Sequence, residues 1–290
     1  MRAARDIAAR LALHRRPAGR GWAGNCPVCG YANAFSLQER EGRAVWWCAS
    51  CGEHERDRLT QAVLGRETRP ARHHSTAAPP SADVDARTAA AQRLWNAGNR
   101  PAKGCVVACY LAGRGLPQPD GDALRVLLDA KHPVGGVHPC MLARVTDATG
   151  RGQAIHRTFL APGGAGKAAL DPARMTLGPV GGGVVRLCRW APGLPLVVGE
   201  GIETSLAAGL ILGAPAWAAL SAGNLPRVPL PPGLTHLLIA ADADKAGQRH
   251  AWMAADRFAA EGLRVEVLTP DRDDFNDLLQ RQQARDGNHG

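Results

Sequence analysis

Two apolar runs that end in acidic residues decide the predicted fold: Leu194-Pro-Leu-Val-Val-Gly-Glu200 and His236-Leu-Leu-Ile-Ala-Ala-Asp242-Ala-Asp244. A helical pattern and a third apolar stretch lie between them in the chain. Short apolar runs that alternate with helical segments predict a mainly parallel β-sheet with flanking helices. Ligands of such sheets bind at the carboxyl ends of the strands, where we expect Glu200, Asp242 and Asp244 to lie. Carboxylate oxygens suit Mg²⁺, which usually keeps substrate phosphates as further partners, so the pattern predicts metal-dependent phosphoryl chemistry.

The charges of the 290-residue chain are unevenly distributed around this stretch. The formal net charge is +9, with 27 basic and 14 acidic residues before Leu194 against 8 and 12 from Leu194 onward. A basic front part joined to an acidic rear part predicts polyanion binding in the first and metal chemistry in the second. The alternative is that an arginine- and alanine-rich proteome raises the basic count generally.

The sequence has no feature of a membrane or secreted protein. No apolar run approaches the roughly 18 residues that span a bilayer. The N-terminus reads as a basic amphipathic helix without the apolar region of a signal peptide. We therefore expect a cytoplasmic protein with no membrane partner.

Two Cys-x-x-Cys pairs, Cys26/Cys29 and Cys48/Cys51, are separated by eighteen residues. This spacing is typical of a four-cysteine zinc site, because tetrahedral Zn²⁺ prefers thiolate ligands. Two short strands are expected between the pairs, so residues 1–65 are predicted to form a zinc ribbon. Two disulfides or a redox pair are the alternatives. The missing secretion signal disfavours the first, and the doubling of the motif disfavours the second.

Aromatic and basic side chains occur together in the predicted ribbon, among them Trp46 and Arg43. Bases stack on aromatic rings while arginines contact phosphates, so the ribbon is a candidate module for binding single-stranded DNA. The alternative is that a tryptophan only fills the small core of the ribbon.

A proline-rich, polar segment over 66–85 is interpreted as a linker. Residues 86–193 then predict a small α+β lobe with two helical patterns and a β-hairpin. Arg157 in the hairpin and Lys167 after it are candidate phosphate contacts, with a solvated face as the simpler alternative. The glycine-rich segment 163–168 lacks the first glycine and the Ser/Thr of a Walker A loop, so we expect no ATPase motor.

Acidic residues recur after one more predicted strand. Asp274 and Asp277 lie three residues apart, which is about one helical turn. They either extend the acidic edge and join the metal site, or cap a helix and complement its dipole. Residues 194–285 make up the predicted α/β domain.

This rear segment resembles the Toprim domain, the catalytic fold shared by bacterial-type primases, topoisomerases and some nucleases. The resemblance lies in a strand ending in Glu200-Gly201, a strand ending in Asp242-Ala-Asp244, and Lys245 leading into a helix. With the α+β lobe and the zinc ribbon before it, the order of segments is similar to that of phage- and plasmid-type bacterial primases. That grouping links the chain to DNA replication and to mobile elements.

The resemblance implies an activity, its cofactors and its partners. A DNA primase-like enzyme would make short RNA primers on single-stranded DNA from ribonucleoside triphosphates. Glu200, Asp242 and Asp244 would hold Mg²⁺ or Mn²⁺, and the ribbon would hold a structural Zn²⁺. The basic residues implied for nucleotide or template phosphates are Arg157, Lys167 and Lys245. The segment Asp274-Phe-Asn-Asp277 resembles the late acidic motif of the same primases.

Two other functions stay open at this point. A recombination-mediator-like DNA-binding protein would pair the same zinc and Toprim modules without chemistry, and a Toprim nuclease would usually come with an ATPase. Topoisomerase activity is disfavoured because the only tyrosines, Tyr31 and Tyr110, lie in the front part. Since no helicase module is recognisable, we expect a separate helicase partner.

Overall fold

The computed structural model describes residues 4–15, 21–28, 35–40, 43–48, 56–65, 82–133, 135–271 and 274–286. The chain divides into two compact units, residues 1–79 and 80–290. Across the described ranges, none of the helices combines the length and the apolar character needed to cross a membrane.

The first unit is a small antiparallel sheet with two helices. Its elements are α1 (Ala4–Arg10), β1 (His14–Arg15), β2 (Trp22–Gly24), β3 (Phe35–Arg40), β4 (Arg43–Cys48) and α2 (Arg56–Leu64). The strands pair in sequence order, and β3 and β4 are the two strands expected between the cysteine pairs. Phe35 and Leu37 of β3 are fully buried and pack with Ile7 of α1 and Val63 of α2.

The second unit begins with an α+β lobe. Its elements are α3 (Ala82–Ala97), α4 (Val106–Gly113), β5 (Leu124–Lys131), β6 (Val137–Thr146), β7 (Gly152–Phe159) and β8 (Arg174–Leu177). The four strands form an antiparallel sheet in sequence order, and β6 and β7 are the predicted hairpin. α3 covers one face of this sheet, where Trp95 packs with Ile155 and Phe159.

The rest of the second unit is a wholly parallel four-stranded sheet with helices. Its elements are β9 (Leu196–Gly199), α5 (Ile202–Leu212), β10 (Ala216–Ala218), β11 (His236–Ala240), α6 (Lys245–Ala260), β12 (Arg264–Leu268) and α7 (Phe275–Asp286). The strand order is β10-β9-β11-β12. The two strands that end in acidic residues, β9 and β11, are therefore the central neighbours.

The lobe and the parallel-sheet part share one hydrophobic core. Tyr110 and Leu111 of α4 and Met141 of β6 belong to the same buried cluster as Leu206 and Ala207 of α5. Because this cluster is continuous, α4 and α5 are packed side chain against side chain, which matters for the site below.

One domain boundary and two strands differ from the sequence-based expectation. The linker expected over 66–85 is too long, because residues 82–85 already form the first turn of α3; residues 66–81 lie outside the described ranges. β5 was not predicted, since a short apolar run with flanking charges does not distinguish strand from helix. β8 was also missed: Arg174-Met-Thr-Leu177 alternates polar and apolar residues, but four residues at the edge of a sheet are too few to indicate a strand by themselves.

Candidate active site at the carboxyl edge of the parallel sheet

Glu200 directly follows β9, at the carboxyl end of a central strand. The backbone fixes its position: the Leu220 N–H donates to the Glu200 carbonyl and the Ala219 N–H to the Gly199 carbonyl, each at 2.8 Å. Gly199 is required here, because a Cβ at this position would come within 2.7 Å of Ser205 Oγ. The glutamate that follows is buried, as the side chain of a binding site at a sheet edge would be.

Asp242 leaves the same edge from the neighbouring strand. Gly199 of β9 and Ala240 of β11 are paired in register, and Asp242 comes two residues after Ala240. One carboxylate oxygen of Asp242, Oδ1, is buried and makes no hydrogen bond within the described part of the chain. A buried acceptor without a donor is costly, so this oxygen suits a cation or a ligand proton.

The electrostatics of Asp242 identify its neighbours. Burial raises its pKa, the negative charges of Asp244 and Asp274 raise it further, and Arg174 lowers it in part, for a value of about 6. Like charges close together disfavour ionisation of one another. The structure therefore brings Asp242, Asp244 and Asp274 within electrostatic reach, as the sequence analysis expected for the first two.

Two of these carboxylates also cap helices. The Gly247 N–H donates to Asp244 Oδ1 at 2.7 Å at the start of α6, and the Asp277 N–H donates to Asp274 Oδ1 at 2.9 Å at the start of α7. The capping alternative for Asp274 is thus observed, and Asp274 also lies close enough to Asp242 for its charge to raise the pKa of that carboxyl. Asp277 lies in the first turn of α7.

A divalent metal fits the chemistry of this edge, although no complete cage is formed. Among the residues that the structure describes, no three His, Cys, Asp or Glu side chains are grouped closely enough to hold a metal ion. Oxygen donors suit Mg²⁺ and Mn²⁺, and a cation would offset the repulsion around Asp242 and supply its Oδ1 with a partner. Glu200, Asp242 and Asp244 are the residues that would hold such an ion.

A buried polar cluster adjoins the acidic edge. Glu203 of α5 is buried, and its Oε1 accepts a 2.5 Å hydrogen bond from the Tyr110 hydroxyl and lies 3.3 Å from Lys167 Nζ. Burial alone would raise the pKa of Glu203, but Lys167 and then the Tyr110 hydrogen bond lower it to about 2. Glu203 is consequently ionised and Lys167 is already paired with an anion.

Arg174 and His156 lie beside the same cluster. Arg174, at the start of β8, is exposed and affects the pKa of Asp242, Glu203 and His156. Burial, partly offset by Glu203 and reinforced by Arg174 and Lys167, lowers the pKa of His156 to about 4, so this imidazole is neutral near pH 7. Arg174 is therefore a cation within electrostatic reach of both the acidic edge and the buried cluster.

The predicted phosphate contact Arg157 lies elsewhere. Residues of a strand alternate between its two faces, and Arg157 lies 5.8 Å from the ring centre of Phe159, which packs on the α3 side of the sheet. The structure thus brings Lys167 to the neighbourhood of the site but not Arg157. Lys245 opens α6, directly after Asp244; its side chain lies outside the described part of the chain.

Comparison with known protein families identifies the domain that the parallel-sheet part forms. Residues 195–285 match the model of the Toprim domain, and residues 85–187 match a domain of unknown function, DUF7146. Residues 195–285 are a Toprim domain. The resemblance seen in the sequence is confirmed for this part of the chain, and so is the predicted parallel sheet with flanking helices.

Several solved primase structures are similar to the chain at low identity. The primase fragment of the bacteriophage T7 primase-helicase protein is 15% identical, with 91% of this chain and 96% of that one covered and a TM-score of 0.46. A DNA primase domain from Pseudomonas aeruginosa is 19% identical, with coverage of 69% and 74% and a TM-score of 0.42. The zinc-binding and RNA polymerase domains of the Aquifex aeolicus primase are 13% identical, with coverage of 98% and 82% and a TM-score of 0.46.

Sequence reasoning missed the polar cluster next to the Toprim carboxylates, namely Tyr110, Glu203 and Arg174. One signal was available: Glu203 is the sole charged residue of α5, a largely apolar helix that is buried from Ile202 to Gly209. A lone carboxylate in such a helix requires a partner. The identity of that partner depends on the packing of the lobe against the Toprim domain.

The first unit contains two of the four predicted zinc ligands within the described ranges. Cys26 and Cys48 are both buried in its core, and the Val28 N–H donates to Cys26 Sγ at 3.4 Å. Cys29 and Cys51 lie outside the described residues, so the structure does not test the zinc prediction. Of the predicted DNA contacts, Arg43 is exposed and Trp46 is partly buried against the core.

Proposed function

We propose that this chain is a DNA primase-like nucleotidyltransferase that makes short RNA primers on single-stranded DNA. The observation that carries the proposal is Asp242 of the Toprim domain, with a buried oxygen that has no hydrogen-bond partner in the described ranges and a pKa raised to about 6 beside Asp244 and Asp274. Arg174 offsets the charge of this carboxylate only in part, and a bound divalent metal would supply the remaining counter-charge.

Glu200, Asp242 and Asp244 would hold Mg²⁺ or Mn²⁺ in this mechanism. The bound metal would offset the negative charge of the triphosphate and favour attack of a primer 3′-hydroxyl on its α-phosphorus, with pyrophosphate as the leaving group. The capping bond from Gly247 holds Asp244 at the N-terminus of α6, and the β9–β11 register places Glu200 and Asp242 at the same edge of the sheet. Asp244 is thereby oriented before a nucleotide binds.

Arg174 is the best-placed cation for the nucleotide phosphates. It is exposed and within electrostatic reach of Asp242, whereas the charge of Lys167 is offset by Glu203 at 3.3 Å. Lys167 is better understood as a positioning residue, which holds Glu203 and α5 in place. Lys245, at the helix start next to Asp244, remains a candidate phosphate contact, and Arg157 is the weakest of those predicted.

The first unit would bind the template. Zn²⁺ on Cys26, Cys29, Cys48 and Cys51 would stabilise the ribbon, which is too small to rely on its core alone. The exposed Arg43 and the rings of β4 would contact phosphates and bases. Ribonucleoside triphosphates and a separate replicative helicase are the further partners of this proposal, which places the chain in cytoplasmic DNA replication.

A second candidate function is a non-catalytic DNA-binding protein of the recombination-mediator kind. The capping bonds of Asp244 and Asp274 favour this function, because they give both carboxylates a structural role that needs no metal. The proposed enzyme accounts better for Asp242, which caps no helix and whose ionisation is opposed by its surroundings.

Primer synthesis separates the two functions. The protein is incubated with single-stranded DNA, labelled ribonucleotides and Mg²⁺ or Mn²⁺, and the products are resolved by length. We expect short labelled oligoribonucleotides, their loss in Asp242→Asn, and full activity in Asp256→Asn, the same change at an exposed position on α6. DNA binding without any product in the wild type would favour the mediator, and cleavage of the DNA would favour the nuclease.

A further inference from the structure

Two adjoining cavities lie away from the acidic edge, in the second unit. The first has a volume of about 590 Å³ and lies between the lobe and the Toprim domain, and the second has a volume of about 490 Å³ and lies against α6. Both are lined by Ala148, Leu230 and Pro231, so they adjoin along these residues. None of the acidic-edge carboxylates is among their described lining residues.

Arginines dominate the charge of both cavities. Those that line them are Arg144, Arg186, Arg189, Arg227 and Arg257. The carboxylates in the linings are already paired: Asp122 with Arg100 at 3.1 Å, and Glu261 with Arg257 at 3.0 Å. The excess of positive charge predicts a polyanionic ligand.

Aromatic rings accompany these arginines in the first cavity. Trp190 and Trp217 both line it, and the guanidinium of Arg186 lies 4.9 Å from the Trp217 ring centre. Arg186 also donates to Thr146 Oγ1 and, at 2.9 Å, to the Asp147 carbonyl. A guanidinium held by these two hydrogen bonds, with further N–H donors, can stack on a base and bind a phosphate.

We propose that the two cavities together bind a segment of single-stranded nucleic acid. Planar groups beside several cations match the alternation of bases and phosphates along a strand. A cavity of roughly 300–1,000 Å³ accommodates one small molecule. Two such cavities side by side therefore favour a ligand that is longer than one nucleotide. The identification of the strand as DNA rests on the proposed function. The observation of the two cavities and their charge does not depend on it.

The test is binding of a short, fluorescently labelled oligothymidylate without added divalent metal, measured by anisotropy. Arg189 is exposed and its backbone N–H, not its side chain, contacts Asp120, so Arg189→Glu is expected to leave the fold intact. We expect this variant to weaken binding about fivefold or more at low salt, with a shallower salt dependence. Arg87→Glu, the same change on the exposed surface of α3, is expected to bind as the wild type does.

Crosslinking distinguishes the cavities from the ribbon. An oligonucleotide with a photoreactive 5-iodouracil is expected to crosslink to peptides containing Trp190, which is partly exposed. Crosslinks confined to residues 21–48, with equal affinity in Arg189→Glu and Arg87→Glu, would overturn the proposal. If the protein binds thymidine monophosphate with the same affinity as the oligonucleotide, the proposal that the ligand is a strand is wrong.

Failure of this inference and failure of the proposed function give different results. If the cavities bind the strand but no primer forms, only the proposed activity is wrong. If primers form and Arg189→Glu changes neither affinity nor crosslinks, only the cavity assignment is wrong.

Discussion

The Tyr110 hydroxyl of α4 donates a 2.5 Å hydrogen bond to Glu203 Oε1 of α5. This bond joins the lobe to the helix that follows Glu200 in the Toprim domain, across 93 residues of sequence. Lys167 Nζ approaches the same oxygen to 3.3 Å. Because all three groups come from different segments, the cluster exists only when the lobe and the Toprim domain are packed together.

Tyr110→Phe is expected to destabilise the protein while leaving its core filled. The variant removes one donor to a buried carboxylate, which typically costs about 1.5–3 kcal/mol. The measurement is the midpoint of thermal unfolding. In a double-mutant cycle with Glu203→Gln the two losses are expected to be non-additive, and simple additivity would show that the bond contributes little.

The ion pair of Glu203 predicts a pH dependence of stability. Its folded pKa, about 2, lies below its ordinary value of 4.5. The stabilisation is therefore complete above pH 4.5 and is lost as the pH falls towards 2. Lys167→Met should move the acid-unfolding transition, followed by circular dichroism, to higher pH. The double variant Lys167→Met/Glu203→Gln should recover stability, because it leaves no unpaired charge.

The raised pKa of Asp242 predicts the opposite pH dependence of stability. Its folded pKa of about 6 lies above its ordinary value of 3.8, so its contribution is favourable at low pH and is lost as the pH rises through 6. Without divalent metal, Asp242→Asn is expected to raise stability at pH 8 by on the order of 2 kcal/mol. Mg²⁺ should raise the unfolding temperature of the wild type but not of this variant. The exposed control Asp256→Asn should keep the metal response, and a response retained by Asp242→Asn would place the ion elsewhere.

The two roles of Asp274 can be separated by substitution. Serine also caps helices but carries no charge, whereas alanine does neither. Asp274→Ser is expected to keep wild-type stability, while Asp274→Ala should lose about 1 kcal/mol by thermal or urea unfolding. Primer synthesis reduced equally in both variants would identify the carboxylate as part of the metal site. Activity lost only with alanine would leave Asp274 as a cap.

The zinc ribbon predicts one tightly bound metal ion per chain. Elemental analysis of the purified protein is expected to find one equivalent of zinc, which Cys48→Ser should lose along with the folded first unit. Cys109→Ser is the matched control, because Cys109 is an exposed cysteine on α4. A folded wild-type protein without metal would contradict the prediction.

The acidic edge could be predicted because its signals are local. An apolar run that stops at Glu200, or at Asp242, carries both the strand and the position of the carboxylate in a few residues. The parallel sheet follows from the alternation of such runs with helices. The capping bonds of Asp244 and Asp274 likewise depend on residues only three positions away.

The polar cluster could not be predicted in the same way. Lys167 lies in a loop and Tyr110 in a helix, and nothing near either residue in sequence indicates Glu203 as the partner. Their contact is produced by the shared core of α4 and α5. The position of Arg157 could not be predicted either. The face of β7 on which it lies depends on a strand register that the sequence leaves open.

The in-register pairing of Gly199 with Ala240 limits how the length of this chain can vary. Successive residues of these strands pack into two different cores, so one residue inserted into β9 or β11 would exchange the side chains between the two cores. It would also shift Glu200 or Asp242 along the edge by about one residue length, roughly 3.3 Å. Substitutions in these strands can therefore have graded effects, whereas single-residue insertions and deletions abolish the site. Length changes in the loop that enters β11, around 229–235, would leave the carboxylates in place but would disturb the proposed nucleic-acid cavities, which Leu230 and Pro231 line.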